Sequence, residues 1–87
     1  MTLDKNDKYA WYGKGFALSA FGRYDEAIDC YDRVLALDKN DKDTWNNKGF
    51  ALNALGRYDE AMGCYDQVLT LDKNDKYAWN NKGFALN

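Results

Sequence analysis

The side chains in this sequence best suited to chemistry are amides. Asparagine stands at Asn46, Asn47 and Asn53 and again at Asn80 and Asn81, and each carboxamide carries both a donor and an acceptor. A row of such groups at helical spacing can clamp the backbone of an extended peptide. Tyr9, Tyr12, Phe16, Phe50 and Phe84 alternate with them and offer apolar contact. Other chemistry finds no footing. The chain has no histidine, no nucleophile flanked by a base and no glycine-rich phosphate loop, so it is not expected to be an enzyme. Neighbouring acids such as Asp25 and Glu26 would point in different directions on a helix.

Two further groups of side chains invite a metal reading and do not sustain it. Asp4, Asn6 and Asp7, with Asp38, Asn40 and Asp41 and then Asp72, Asn74 and Asp75, offer oxygen ligands at a regular spacing. They lack the glycine and the distant glutamate of a calcium loop, and lysine is interspersed among them, so helix capping explains them better. Cys30 and Cys64 are the only cysteines. They hold equivalent places in successive copies of one unit, which puts them about one interhelix spacing apart, ~8–10 Å, beyond the ~7 Å that a disulfide spans. Two soft ligands also fall short of a structural zinc site. No metal and no cofactor is expected, and both cysteines read as free thiols in a reducing compartment.

Composition narrows the partners. The chain has 87 residues, 46% hydrophobic, with a formal charge of -2 and 14 aromatic residues, which is one small unit of ordinary globular character. Lysines and acids alternate without a basic stripe, so nucleic acid is not an expected partner. No long apolar run and no signal peptide is present, which argues against a membrane and against export. A cytoplasmic location is expected.

What positions the amides and rings is a repeat. Trp11, Trp45 and Trp79 recur every 34 residues, and Gly15/Gly49/Gly83, Phe16/Phe50/Phe84, Arg23/Arg57, Ala27/Ala61 and Tyr31/Tyr65 keep step with them. Residues 8–41 and 42–75 are identical at 24 of 34 positions, closer than packing requires, so the copies read as recent duplicates or a designed array. Residues 76–87 start a third copy, and residues 1–7 match the tail of a preceding one. Within a copy, Trp11, Lys14, Gly15 and Leu18 fall on one face of a helix that Asp7 can cap and that should stop near Phe21, before Gly22. A second helix begins at Tyr24 with Asp25 and Glu26 in its first turn, where the helix dipole favours them. Its apolar stripe is Tyr24, Ala27, Ile28, Tyr31, Val34 and Leu35. The two-residue connection Gly22-Arg23 makes the two helices antiparallel neighbours.

With Trp11, Gly15, Tyr24, Ala27 and Tyr31 recurring one period on, the whole chain resembles the tetratricopeptide repeat family. Lysine departs from the usual pattern twice. Lys14, Lys48 and Lys82 stand where leucine usually precedes the glycine, which demands that the stem pack while the ammonium reaches water. Lys5, Lys39 and Lys73 replace the proline after the second helix, which weakens the stop signal. A turn there is expected, with a continuous helix from Tyr24 to about Leu55 as the alternative.

The resemblance implies an all-α, right-handed superhelical solenoid of antiparallel helix pairs, here five helices, acting as a scaffold for a protein or peptide partner. It places Tyr9, Tyr12, Phe16 and Ser19, then Asp43, Asn46, Asn47, Phe50 and Asn53, then Tyr77, Asn80, Asn81 and Phe84 on the concave face. These positions do lie off the tryptophan-glycine-leucine face that packs inward. The clamp by which chaperone-binding members hold an acidic C-terminus is missing: of its lysine, asparagine and arginine landmarks only Asn47 is in place. Tyr12, Phe16, Tyr77 and Asn81 stand at the others. The alternative function is a self-assembling structural module without a ligand of its own, a designed array or an excised fragment. Trp79, Gly83, Phe84 and Leu86 on the last helix are the expected self-association surface, with a homo-oligomer, preferably a dimer, as its product.

Overall fold

The computed structural model describes the backbone of residues 7–86 and side chains through residue 83. The stub expected before Asp7 and the side chains of Phe84 and Leu86 lie outside the described residues. Five helices run in order: α1 Lys8–Ala20, α2 Tyr24–Leu37, α3 Lys42–Ala54, α4 Tyr58–Leu71 and α5 Lys76–Leu86. Each packs on the next, α1 and α3 touch along one side, as do α3 and α5, and the whole measures 41 × 25 × 17 Å.

Local chemistry sets most of the boundaries. The Asp7 carboxylate accepts from the backbone N–H groups of Tyr9 and Ala10 at 3.0 and 3.2 Å, and Asp41 and Asp75 do the same for Thr44 and Ala78 at 3.1 and 2.9 Å. The periodic aspartates thus cap helices, because the first-turn donors have no partner inside the helix. At the other end of α1, Gly22 adopts φ +79, the Arg23 N–H reaches the Leu18 carbonyl at 2.8 Å and the Gly22 N–H reaches Ser19 at 3.0 Å. This double closure satisfies the last carbonyls and turns the chain back at once. Gly56 repeats it after α3 at φ +78.

The connector without proline is a turn. α2 ends at Leu37, Asp38 is extended at φ -149 and ψ 90, its carboxylate accepts from the Asn40 N–H at 3.1 Å, and the Asp41 N–H returns to the Asp38 carbonyl at 3.2 Å. A continuous helix through Leu55 is therefore not formed. The indole N–H of Trp45 latches the turn by donating to the Lys39 carbonyl at 2.8 Å, and Trp79 does the same to Lys73. Lys39→Pro should accordingly raise stability by ~0.4–1 kcal/mol through the unfolded chain, since the residue before it is already extended and proline keeps the carbonyl that Trp45 needs. A chemical denaturation midpoint at or below the parent value would contradict this.

Between the two helices of a pair, the small residues admit a large ring. Tyr31 is 1% exposed and Tyr65 fully buried, and a Cβ added to Gly15 or Gly49 would lie 2.8 or 2.7 Å from those rings. Around them Ala27, Ile28, Val34, Ala51, Leu52, Ala61, Cys64 and Val68 form the core. Both cysteines are free and buried, and burial pushes the Cys64 thiol up to about 11, so neither is a reactive thiolate.

Lysines fasten one pair to the next. Lys8 bridges Asp38 at 2.7 Å and Asp41 at 3.3 Å, and Lys42 bridges Asp72 and Asp75, each at 3.0 Å. Lysine in the usual leucine position proves useful in the same way. The Lys48 ammonium meets Asp32 at 2.6 Å and sits 5.6 Å from the Trp45 ring, and Lys82 repeats this with Asp66 and Trp79 at 2.6 and 5.9 Å. The head finds an aspartate on the preceding helix as well as water.

Candidate functional site

Helices α1, α3 and α5 lie side by side and bring one set of side chains to a common face. Tyr12 from α1, Asp43, Asn46, Asn47 and Phe50 from α3, and Tyr77 and Asn81 from α5 line a cleft of about 430 Å³. A second cleft of about 460 Å³ adjoins it through Asn47 and Phe50, and adds Phe16, Ser19, Ala20, Tyr24 and Tyr31. Together they make a groove that crosses three helices, with exposed rings at Phe16, Phe50 and Tyr77. The ring of Tyr24 meets Phe50 edge-on at 6.3 Å, which props up the rim between the two clefts.

The asparagines expected to act alike have separate jobs. Asn47 donates to the Tyr12 hydroxyl at 2.7 Å and so joins α1 to α3 across the groove floor. Asn46 donates to the Asp75 carboxylate at 3.4 Å, and its own Oδ1 is buried with no donor among the described residues. A carboxylate only accepts, so the amide must turn its nitrogen towards Asp75 and leave its oxygen unanswered. Asn81 lines the cleft without a side-chain partner among the described residues. Asn53 does not belong to the groove surface. It is 8% exposed and donates to the buried Tyr65 hydroxyl at 3.4 Å, so it packs between α3 and α4. Tyr9, 77% exposed, and the exposed Asn80 line neither cleft. Phe84 is outside the described side chains. Tyr24 and Tyr31, assigned from the sequence to helix packing alone, also wall the second cleft.

Electrostatically the groove is acidic. Burial raises the Tyr12 phenol, against the Asn47 hydrogen bond, and the carboxylates of Asp43 and Asp41 raise it further. Asp41 is neutralised by Lys8 at 3.3 Å, whereas Asp43 is exposed and forms no ion pair among the described residues. No lysine or arginine lines either cleft. The cations Lys48 and Arg57, like Lys14 and Arg33, line shallow pockets formed with residues of α2 and α4.

The tetratricopeptide repeat family model matches residues 9–41 and 43–75, and the chain belongs to that family. No curated protein sequence matches it. Among solved structures, it is similar to the second such domain of human RPAP3, solved with an HSP70 peptide, at 21% identity and a TM-score of 0.92, covering 97% of this chain and 70% of that one. It is similar to MamA at 25% identity and a TM-score of 0.91, covering 95% of this chain. The chain spans about half, 48%, of that MamA structure. The first domain of Spaghetti (RPAP3), bound to an HSP90 peptide, aligns at 23% identity with a TM-score of 0.63 over 97% of this chain and 94% of that one. These likenesses agree with the five-helix solenoid described above. No helix among the described residues is long and apolar enough to cross a membrane.

Proposed function

We propose that this chain is a protein-interaction module that holds an extended peptide or protein segment in the groove of α1, α3 and α5. One observation carries the reading: a continuous concavity walled by Tyr12, Phe16, Phe50 and Tyr77 with Asn46, Asn47 and Asn81 between them. Rings supply apolar contact while amides meet a peptide backbone, the combination that peptide grooves use. Two of the similar structures hold chaperone peptides, which supports binding of a peptide here without naming it. A cytoplasmic setting suits two buried free thiols. Fluorescence titration against a peptide library checks it. Saturable binding should weaken on the order of tenfold in Phe50→Ala with helicity unchanged, and a parent protein that binds no library member would refute the groove.

A second reading, self-association, is favoured by the open face of α5. Gly15 and Gly49 each press on a tyrosine, whereas a Cβ at Gly83 would meet nothing within 4 Å among the described residues, and Trp79 is 54% exposed. A second copy covering Trp79 and Gly83 would bury this surface, and a closed two-fold dimer is the preferred form. Sedimentation at tens of micromolar should give a dimeric mass that reverts to monomer in Trp79→Ala. A single monomeric mass for the parent would end this reading.

A further inference from the structure

We infer that the groove selects segments carrying lysine or arginine, an inference that rests on the groove being the binding face. Charge is sorted across this molecule. Of the residues lining the two clefts, Asp43 is the one of charged type, while the positive side chains Lys14, Arg33, Lys48 and Arg57 line pockets elsewhere.

The other groove groups are electron-rich as well. Tyr12, Phe50 and Tyr77 line the first cleft, and aromatic rings attract an ammonium or guanidinium through their quadrupoles. Asp43 has no cation of its own, because the nearby lysines are engaged elsewhere: Lys8 holds Asp38 and Asp41, and Lys42 holds Asp72 and Asp75. A segment entering with positive charge answers the Asp43 carboxylate and the rings around it. An acidic segment would face Asp43 with no compensating cation in either cleft. The protein's net charge of -2 acts in the same direction at long range.

The test is an array of amide-capped nonapeptides on an alanine, leucine and serine background, synthesised in matched triplets with arginine, citrulline or glutamate at two positions. Binding to the parent, to Asp43→Asn and to Phe50→Ala is read by fluorescence anisotropy at two salt concentrations. The arginine members should bind about fivefold tighter than their citrulline counterparts, and the glutamate members weakest. In Asp43→Asn, the preference for arginine over citrulline should shrink towards that given by the rings alone and lose most of its salt dependence. Glutamate members binding tightest, or an arginine preference unmoved by Asp43→Asn, would overturn the inference. Binding that ignores charge yet is lost in Phe50→Ala would overturn it while leaving the groove standing. Failure of every member to bind the parent would remove both.

Discussion

Gly49→Leu should lower the melting temperature of the protein by roughly 5–20 °C. A Cβ at this position would already stand 2.7 Å from two ring atoms of Tyr65, closer than carbon atoms approach, and leucine adds three more carbons in the same direction. Tyr65 cannot retreat, because it is fully buried among α3, α4 and the core around Ala61 and Val68. Overpacking of this kind costs about 1–3 kcal/mol and sometimes more, while a chain of this size has a total stability of roughly 5–10 kcal/mol. Each kcal/mol lowers the melting temperature of so small a domain by about 4–8 °C. Gly63→Ala provides the contrast, since it lies within α4 and a Cβ there meets nothing within 4 Å. Alanine should stabilise that helix by about 0.5–1 kcal/mol through its better helix propensity. Thermal unfolding of both variants separates tight contact from generic glycine effects. Equal melting temperatures for Gly49→Leu and the parent would mean that the α3–α4 interface does not close on this glycine.

The same contact shows how far the sequence could be read. Trp45, Gly49, Ala61 and Tyr65 recurring at fixed offsets demanded a helix pair with one small and one large face, and the pair closes there. The capping aspartates and the glycine turns were equally legible, because each satisfies donors or carbonyls within a few residues of itself. The groove was legible only in outline. Whether an asparagine faces solvent or a neighbouring helix depends on a rotation of a few tens of degrees, and periodicity does not resolve that: Asn47 reaches Tyr12 across the groove, while Asn53, six residues on, reaches Tyr65 inside the pair. Nor could it show that Lys48 would find Asp32, a contact between copies whose geometry depends on how one pair leans on the next. The connector at Lys39 was ambiguous because its local preferences are weak. The Trp45 indole, six residues on, closes the turn by donating to the Lys39 carbonyl, a contact that weak backbone preferences do not reveal.

Tyr65→Ala and Tyr65→Phe should divide the contribution of this ring into packing and polarity. Alanine deletes a fully buried ring and leaves a cavity against Gly49, for which aromatic truncations cost about 3–5 kcal/mol. Phenylalanine keeps the volume and removes only the hydroxyl. That hydroxyl accepts from Asn53 at 3.4 Å, and the Asn53 oxygen is already buried without a donor among the described residues, so the amide would lose its remaining partner. Leaving it so costs roughly 1–3 kcal/mol, which should vanish largely when Asn53→Leu is added, because removing both partners of a buried pair is nearly neutral. Alkaline titration gives an independent check. Burial raises the Tyr65 phenol, and raises that of Tyr31 to about 12. A folded-state value above the unfolded one of about 10 means that stability is intact below pH 10 and falls as pH climbs towards the folded values. Tyr65→Phe should therefore be less sensitive than the parent between pH 10 and 12, although less stable at neutral pH. A double variant as unstable as Tyr65→Phe alone, or an unchanged alkaline slope, would show that the hydroxyl of Tyr65 is not what holds Asn53 inside the helix pair.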